Sequence, residues 1–256
     1  MAAKHGHPGA MERIGRYYLY GRRNCTIVDL SKARHYFESA LAVVPGMDNC
    51  RGGLLEIVQK YQELNTDESN ADAKSILLAI TKVPPSDPSA FDLPDALFRL
   101  GMIHMNENAN ENAYNALIGS VTCVGTTQLT QTVAPSAMLC ADKLGLPAQA
   151  RFWLNKVQLS EIIDPGLRRS AAVEYFRLGP IFRTMRDSCG GCGAEFDGME
   201  RKYCRECRTF CYCSRACQKL HWNRKDDGHR EDCLGLKDLK KQLLEVEGEV
   251  GAQASK

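Results

Sequence analysis

The chain has no run approaching the eighteen apolar residues that a helix needs to cross a bilayer. Its start, "MAAKHGHPGAMERIG", lacks the apolar core of a signal peptide. The expectation is an intracellular protein, cytoplasmic or nuclear, with no membrane partner. A dominant charge is also missing, because 33 Lys and Arg face 31 Asp and Glu for a formal net charge of +2. Phosphate binding needs a strong basic face, so this balance argues against nucleic acid. No Ser/His/Asp set, carboxylate pair or phosphate-binding loop can be found, and an enzyme is not expected. In a reducing compartment twelve cysteines do not pair as disulfides by default.

Strand signals are scarce from residue 1 to about 187, whereas helical periodicity is plentiful. "GAMERIGRYYLYG" brings Ile14, Tyr17, Tyr18 and Leu19 near one face. "DLSKARHYFESALAVV" offers Ser31 as a cap and spaces Ala33, Tyr36, Phe37, Ala40 and Leu41 as a helix would. Further helices are expected in "GGLLEIVQKYQEL", "ADAKSILLAITKV", "LPDALFRLGMIHM", "NAYNALIGSV", "APSAMLCADKLG", "LPAQARFWLNKVQLSEII" and "GLRRSAAVEYFRLGPIFRTM". Pro or Gly punctuates most joints, and "VPPSDPSAFDLP" reads as a surface loop. "SVTCVGTTQLTQTV" stays open between helix and strand because it is rich in β-branched residues. Cys25, Cys50, Cys123 and Cys140 sit among apolar neighbours as small buried hydrophobes, and His35 and His104 read as core-edge histidines.

A faint echo runs through this portion. "ARHYF" (33–37) and "ARFWL" (150–154) share Ala-Arg-x-aromatic-apolar, and Gly15 and Gly101 occupy similar helical settings. These features resemble degenerate tetratricopeptide-type repeats, whose units stack to bury a shared core; the alternative is a non-repetitive bundle. The expected fold is mainly α: a helical-hairpin, repeat-like domain over 1–187, a metal-stabilised segment over 188–234, and an amphipathic C-terminal helix and tail over 235–256. The last rests on Leu236, Leu239, Leu243, Leu244 and Val246 along one stripe.

Between 188 and 234 aliphatic residues nearly vanish, so no ordinary core can fold the segment. Cysteine pairs replace it. Cys189-x2-Cys192, Cys204-x2-Cys207, Cys213-x3-Cys217 and His229-x3-Cys233 supply eight donors, the demand of two tetrahedral ions. Thiolates with one imidazole suit structural zinc, and a full complement of four donors leaves no open position for catalysis. One iron–sulfur cluster would use four cysteines only. Spacing does not decide which pairs share an ion.

The quoted motifs "CGGC", "CREC", "CYCSRACQKLHW" and "HREDC" resemble a MYND-type zinc finger over about 189–233. That resemblance implies interleaved ligation, with Cys189, Cys192, Cys213 and Cys217 on one zinc and Cys204, Cys207, His229 and Cys233 on the other. Two features depart from the pattern. Cys211 is an extra thiol, read as a packing residue. The insertion "NRKDDG" between Trp222 and His229 leaves His221 as a rival ligand. His229 is preferred because Cys233 follows one turn later, with His221 expected at the surface or hydrogen-bonded.

Seven thiolates against two dications would take the loaded chain from +2 to about −1. "RKYCRECR" is then a solvated rim rather than a phosphate site. MYND fingers dock short, often proline-containing segments of partner proteins, and Gln218 and Trp222 match the positions that face such a peptide. Trp222 can equally cap the small core between the ions, and both roles can hold. The implied function is a zinc-binding protein-interaction adaptor with the helical part as scaffold. Alternatives are a nucleic-acid-associated or transcription-related regulator and a lysine methyltransferase-related protein. The latter needs Asn-His-Ser or Gly-x-Gly signatures that residues 1–187 do not contain.

Overall fold

A computed structural model describes residues 6–21, 28–64, 66–82, 92–123, 127–157, 165–196, 200–225 and 228–253. The chain is mainly α. Its helices are α1 (Pro8–Tyr20), α2 (Leu30–Val43), α3 (Asp48–Leu64), α4 (Asp67–Ile80), α5 (Leu93–Asn106), α6 (Asn110–Cys123), α7 (Thr127–Lys143), α8 (Pro147–Leu154), α9 (Pro165–Thr184), α10 (Arg215–Asn223) and α11 (Arg230–Gln253). Strands β1 (Lys202–Tyr203) and β2 (Cys211–Tyr212) form an antiparallel pair, with Lys202 opposite Tyr212 and Tyr203 opposite Cys211. Two compact units, 1–103 and 104–256, divide the chain within α5. The cysteine-rich segment and α11 belong to the second.

In the first unit successive helices pack on one another, α1 on α2, α2 on α3 and α3 on α4, as in an array of helical hairpins. The ring of Phe37 fills the space between α1 and α3. A Cβ at Gly15 would lie 2.7 Å from that ring and one at Gly53 only 2.5 Å, so both positions must stay bare for the helices to close on it. Leu19, Ala33, Ile57, Val58, Ile76 and Leu77 complete the core. The cap of α2 is Asp29 rather than Ser31: its carboxylate accepts from the Lys32 amide at 2.9 Å, two residues earlier than expected. Thr66 and Ser69 form a reciprocal capping box at the start of α4. His35 is exposed instead of lying at the core edge, while His104, on α5, is buried with Nδ1 3.2 Å from Glu107.

In the second unit α6 packs on α7, α7 on α8 and α8 on α9. The ambiguous "SVTCVGTTQLTQTV" is helical on both sides of 124–126, because α6 ends at Cys123 and α7 begins at Thr127. Burial on a helical face outweighed the β-branched bias there, with Val121 and Val133 both in the core. α8 stops at Leu154, short of the span expected for it. Cys50 and Cys140 are buried and Cys123 is half-buried; Cys25, most of "VPPSDPSAFDLP" and residues 158–164 lie outside the described residues. α11 starts at Arg230, inside the cysteine-rich segment. Leu236 and Leu239 are buried and Leu243 and Val246 half-buried, but Leu244 is 66% exposed and falls off the stripe. Among the described residues no helix is long and apolar enough to cross a membrane.

Candidate metal centre

Short backbone devices carry the eight donors. After α9 the chain turns back through a bridge between Ser188 and Glu195, and the Cys189 amide donates to the Ala194 carbonyl at 2.8 Å. This turn holds Cys189 and Cys192 and closes at Gly193, whose φ of 75° suits glycine. Cys204 follows β1 directly, and Cys207 lies in a turn where Arg208 adopts a φ of 52° and the Thr209 amide donates to Cys207 Sγ at 3.4 Å. Cys213 leaves β2 just ahead of α10. The hydroxyl of Ser214, the cap of α10, accepts from the Cys217 amide at 3.2 Å, fixing Cys217 in the first turn. His229 and Cys233 straddle the start of α11, where the Cys233 amide donates to the His229 carbonyl at 2.9 Å.

These devices gather two sets. Cys189, Cys192, Cys213 and Cys217 form one, and Cys204, Cys207, His229 and Cys233 the other; within each, the donor atoms all lie within 4.8 Å of one another. Sulfur separations are 3.8 Å for Cys192–Cys213, 3.5 Å for Cys213–Cys217 and 3.7 Å for Cys204–Cys233. These are too long for disulfides. A tetrahedral ion with metal–sulfur bonds of about 2.3 Å sets its corners about 3.8 Å apart, so the donors fit a bound cation. The interleaved sets follow from the hairpin, which delivers Cys204 from one strand and Cys213 from the other.

Without a cation the clustered thiols oppose one another. Hydrogen bonds from the Cys207 and Cys233 thiols hold Cys204 well below the ordinary thiol range, while Cys204 and then Cys207 push Cys233 up. Burial raises Cys189, but amides of Cys192, Cys213 and Gly191 outweigh it and bring the thiol down to about 6. Its partner Cys213 is pushed up to about 12, chiefly by Cys217. A divalent cation resolves this conflict, because it favours thiolate at every sulfur.

A small core joins the two sets. Tyr212 and Cys211 are fully buried in it, with Phe210 and Trp222 packed alongside. Cys211 belongs to neither set; its thiol faces the Arg186 carbonyl at 3.0 Å, consistent with a packing role. His221 is also outside both sets. It is only 5% exposed and lies 3.0 Å from the Tyr212 hydroxyl, so it is hydrogen-bonded but not at the surface. Trp222 is half-buried, its ring edge-on to His229 at 5.2 Å. It also borders a groove of about 580 Å³ lined by Gln218, Tyr203, Arg205 and Arg215.

Sequence reasoning missed two residues. Tyr212 was visible only as an aromatic within "CYC", and its hydroxyl's place between two imidazoles depends on the fold. Asp232 had no role beyond its place in "HREDC", yet it is 4% exposed and serves another helix. Comparison with protein-family models, with curated proteins and with solved structures gives no match.

Proposed function

We propose that the chain is a zinc-dependent protein-interaction adaptor whose MYND-like segment docks short, proline-containing stretches of partner proteins. Two structural zinc ions would occupy the thiolate sets, because closed environments of four thiolates, or of three thiolates and an imidazole, suit a redox-inert tetrahedral ion. The observation that carries the docking reading is the meeting of Gln218, Trp222 and the 43%-exposed Tyr203 around one groove beside the second thiolate set. Aromatic faces with a nearby amide are the furniture of proline recognition. Strand β1 pairs only with β2 among the described residues, which leaves its outer edge able to meet an extended peptide. Helices α6–α9 then act as the platform.

The test is a screen of proline-containing peptides against the zinc-loaded full chain, repeated with Trp222→Ala and Gln218→Ala. Binding that Trp222→Ala weakens at least about tenfold, with two ions still bound, supports the reading. Peptides that bind the unaltered chain and both variants equally, or none that bind, would overturn it.

A further inference from the structure

We infer that the second thiolate set and the start of α8 form one cooperative element, so that occupancy of that set decides whether the first turn of α8 is ordered. This rests on the fit of the donors to a cation and not on the docking reading.

α8 opens without a cap of its own. Its flanking residue, Leu146, has no side-chain acceptor, and Pro147 occupies the first position without an N–H. The next two amides are both served from another helix: Ala148 donates to Asp232 Oδ2 at 2.6 Å and Gln149 to Oδ1 at 3.1 Å. Asp232 lies in the first turn of α11, between His229 and Cys233. A buried carboxylate at a helix N-terminus is the partner that the dipole and the orphan amides both favour.

The link continues through side chains. Gln149 Nε2 donates to the Asp232 carbonyl at 3.4 Å, and Gln149 Oε1 accepts from the Tyr114 hydroxyl at 2.7 Å. That hydroxyl in turn accepts from Trp153 Nε1 at 3.2 Å, which ties α6, α8 and α11 together. On its outer side α8 sends the guanidinium of Arg151 to the Arg208 carbonyl, just after Cys207. α8 therefore holds both halves of the second set, the turn with Cys204 and Cys207 and the helix start with His229 and Cys233.

One half is a turn after a two-residue strand; the other is the first turn of α11, a helix anchored further along by Leu236 and Leu239 but left at its start to the second set and α8. A bound cation closes them on each other. Once it is gone the first turn of α11 is free to fray and Asp232 to move, which leaves the Ala148 and Gln149 amides without acceptors, so α8 opens at its start while Trp153 keeps its far end packed.

Hydrogen exchange of the zinc-loaded full chain tests this at the Ala148 and Gln149 amides. Chelation should speed their exchange by on the order of tenfold or more, while α3 keeps its protection. Cys207→Ser, shown by native mass to have lost one ion, should do the same. Asp232→Ala removes an acceptor but no ligand, so it should bind both ions and still leave the start of α8 unprotected. If that variant does not accumulate, Asp232→Asn keeps one acceptor oxygen and should give intermediate protection. Full protection of the start of α8 after chelation, or in either Asp232 variant, overturns the inference. Failure of the chain to take up a second ion overturns it as well.

Discussion

The hydroxyl of Tyr212 lies 3.1 Å from Nδ1 of His229, a member of the second thiolate set. It also lies 3.0 Å from Nδ1 of His221, which is in neither set. Burial pushes the phenol's pKa up, so it stays neutral and can donate to one imidazole while accepting from the other. Such an outer partner fixes the ring orientation of a ligating histidine.

Tyr212→Phe should therefore leave the helices intact and both sets able to load, but weaken the second set about 10- to 100-fold. Competition against a chromophoric chelator measures this directly. An unchanged affinity would show that packing alone orients His229.

The two histidines separate by metal count. His229→Ala should retain one metal ion per chain, and His221→Ala two, as read by native mass spectrometry. Removing His221 still leaves the Tyr212 hydroxyl short of a buried partner, a loss of about 1–3 kcal/mol. The reverse pattern of counts would transfer the ligand role to His221.

Gly191 sits where the Cys189 turn passes over α10. A Cβ there would come within 2.4 Å of the Cys217 carbonyl oxygen, a collision with backbone that no rotamer change relieves. Gly191→Ala should push Cys189 and Cys192 away from Cys217 and cost the first set its ion. A Cβ at Gly46 would meet nothing within 4 Å, so Gly46→Ala is the matched control and should keep both ions. Two ions in Gly191→Ala would mean that the turn yields without opening the set.

Phe37→Ala should destabilise the first unit by about 3–5 kcal/mol, since the bare positions at Gly15 and Gly53 offer nothing to refill the space. Urea unfolding followed by helical circular dichroism, with metal content measured alongside, checks this. A loss below about 1 kcal/mol would show that α1 and α3 collapse onto the gap.

The helices were legible because burial follows their period: Ala33, Phe37 and Ala40 lie on the buried face that their spacing implied. The donor pairs were legible because close spacing is a local property. What joins distant segments was not. "LGLPAQAR" shows a helix start with no capping residue, which signals a cap supplied from elsewhere, but nothing local identifies Asp232, 84 residues from Ala148. Ser31 suits a cap by residue type, yet Asp29 two residues earlier caps α2, because residue type does not fix a helix end to within two positions. Leu244 matched a stripe on spacing, yet faces outward because α11 has its neighbours on the Leu236 and Leu239 side.

The remaining thiols give a pH test. Burial pushes Cys50 and Cys140 each up to about 11, whereas an unfolded cysteine ionises near about 8.5. Above that lower value the unfolded chain releases these protons and the folded chain keeps them, so unfolding is favoured by rising pH. The stability associated with the two neutral thiols is thus complete below about pH 8.5 and is lost progressively up to about 11. Urea midpoints should fall across this window, and Cys50→Ala should flatten the fall relative to its own value at pH 7. At pH 8 a maleimide should label neither residue in folded protein, because thiolate is the nucleophile and both sulfurs are enclosed. Labelling of Cys50 in folded molecules, or an equal slope in Cys50→Ala, would show that the thiol is not held neutral by the core.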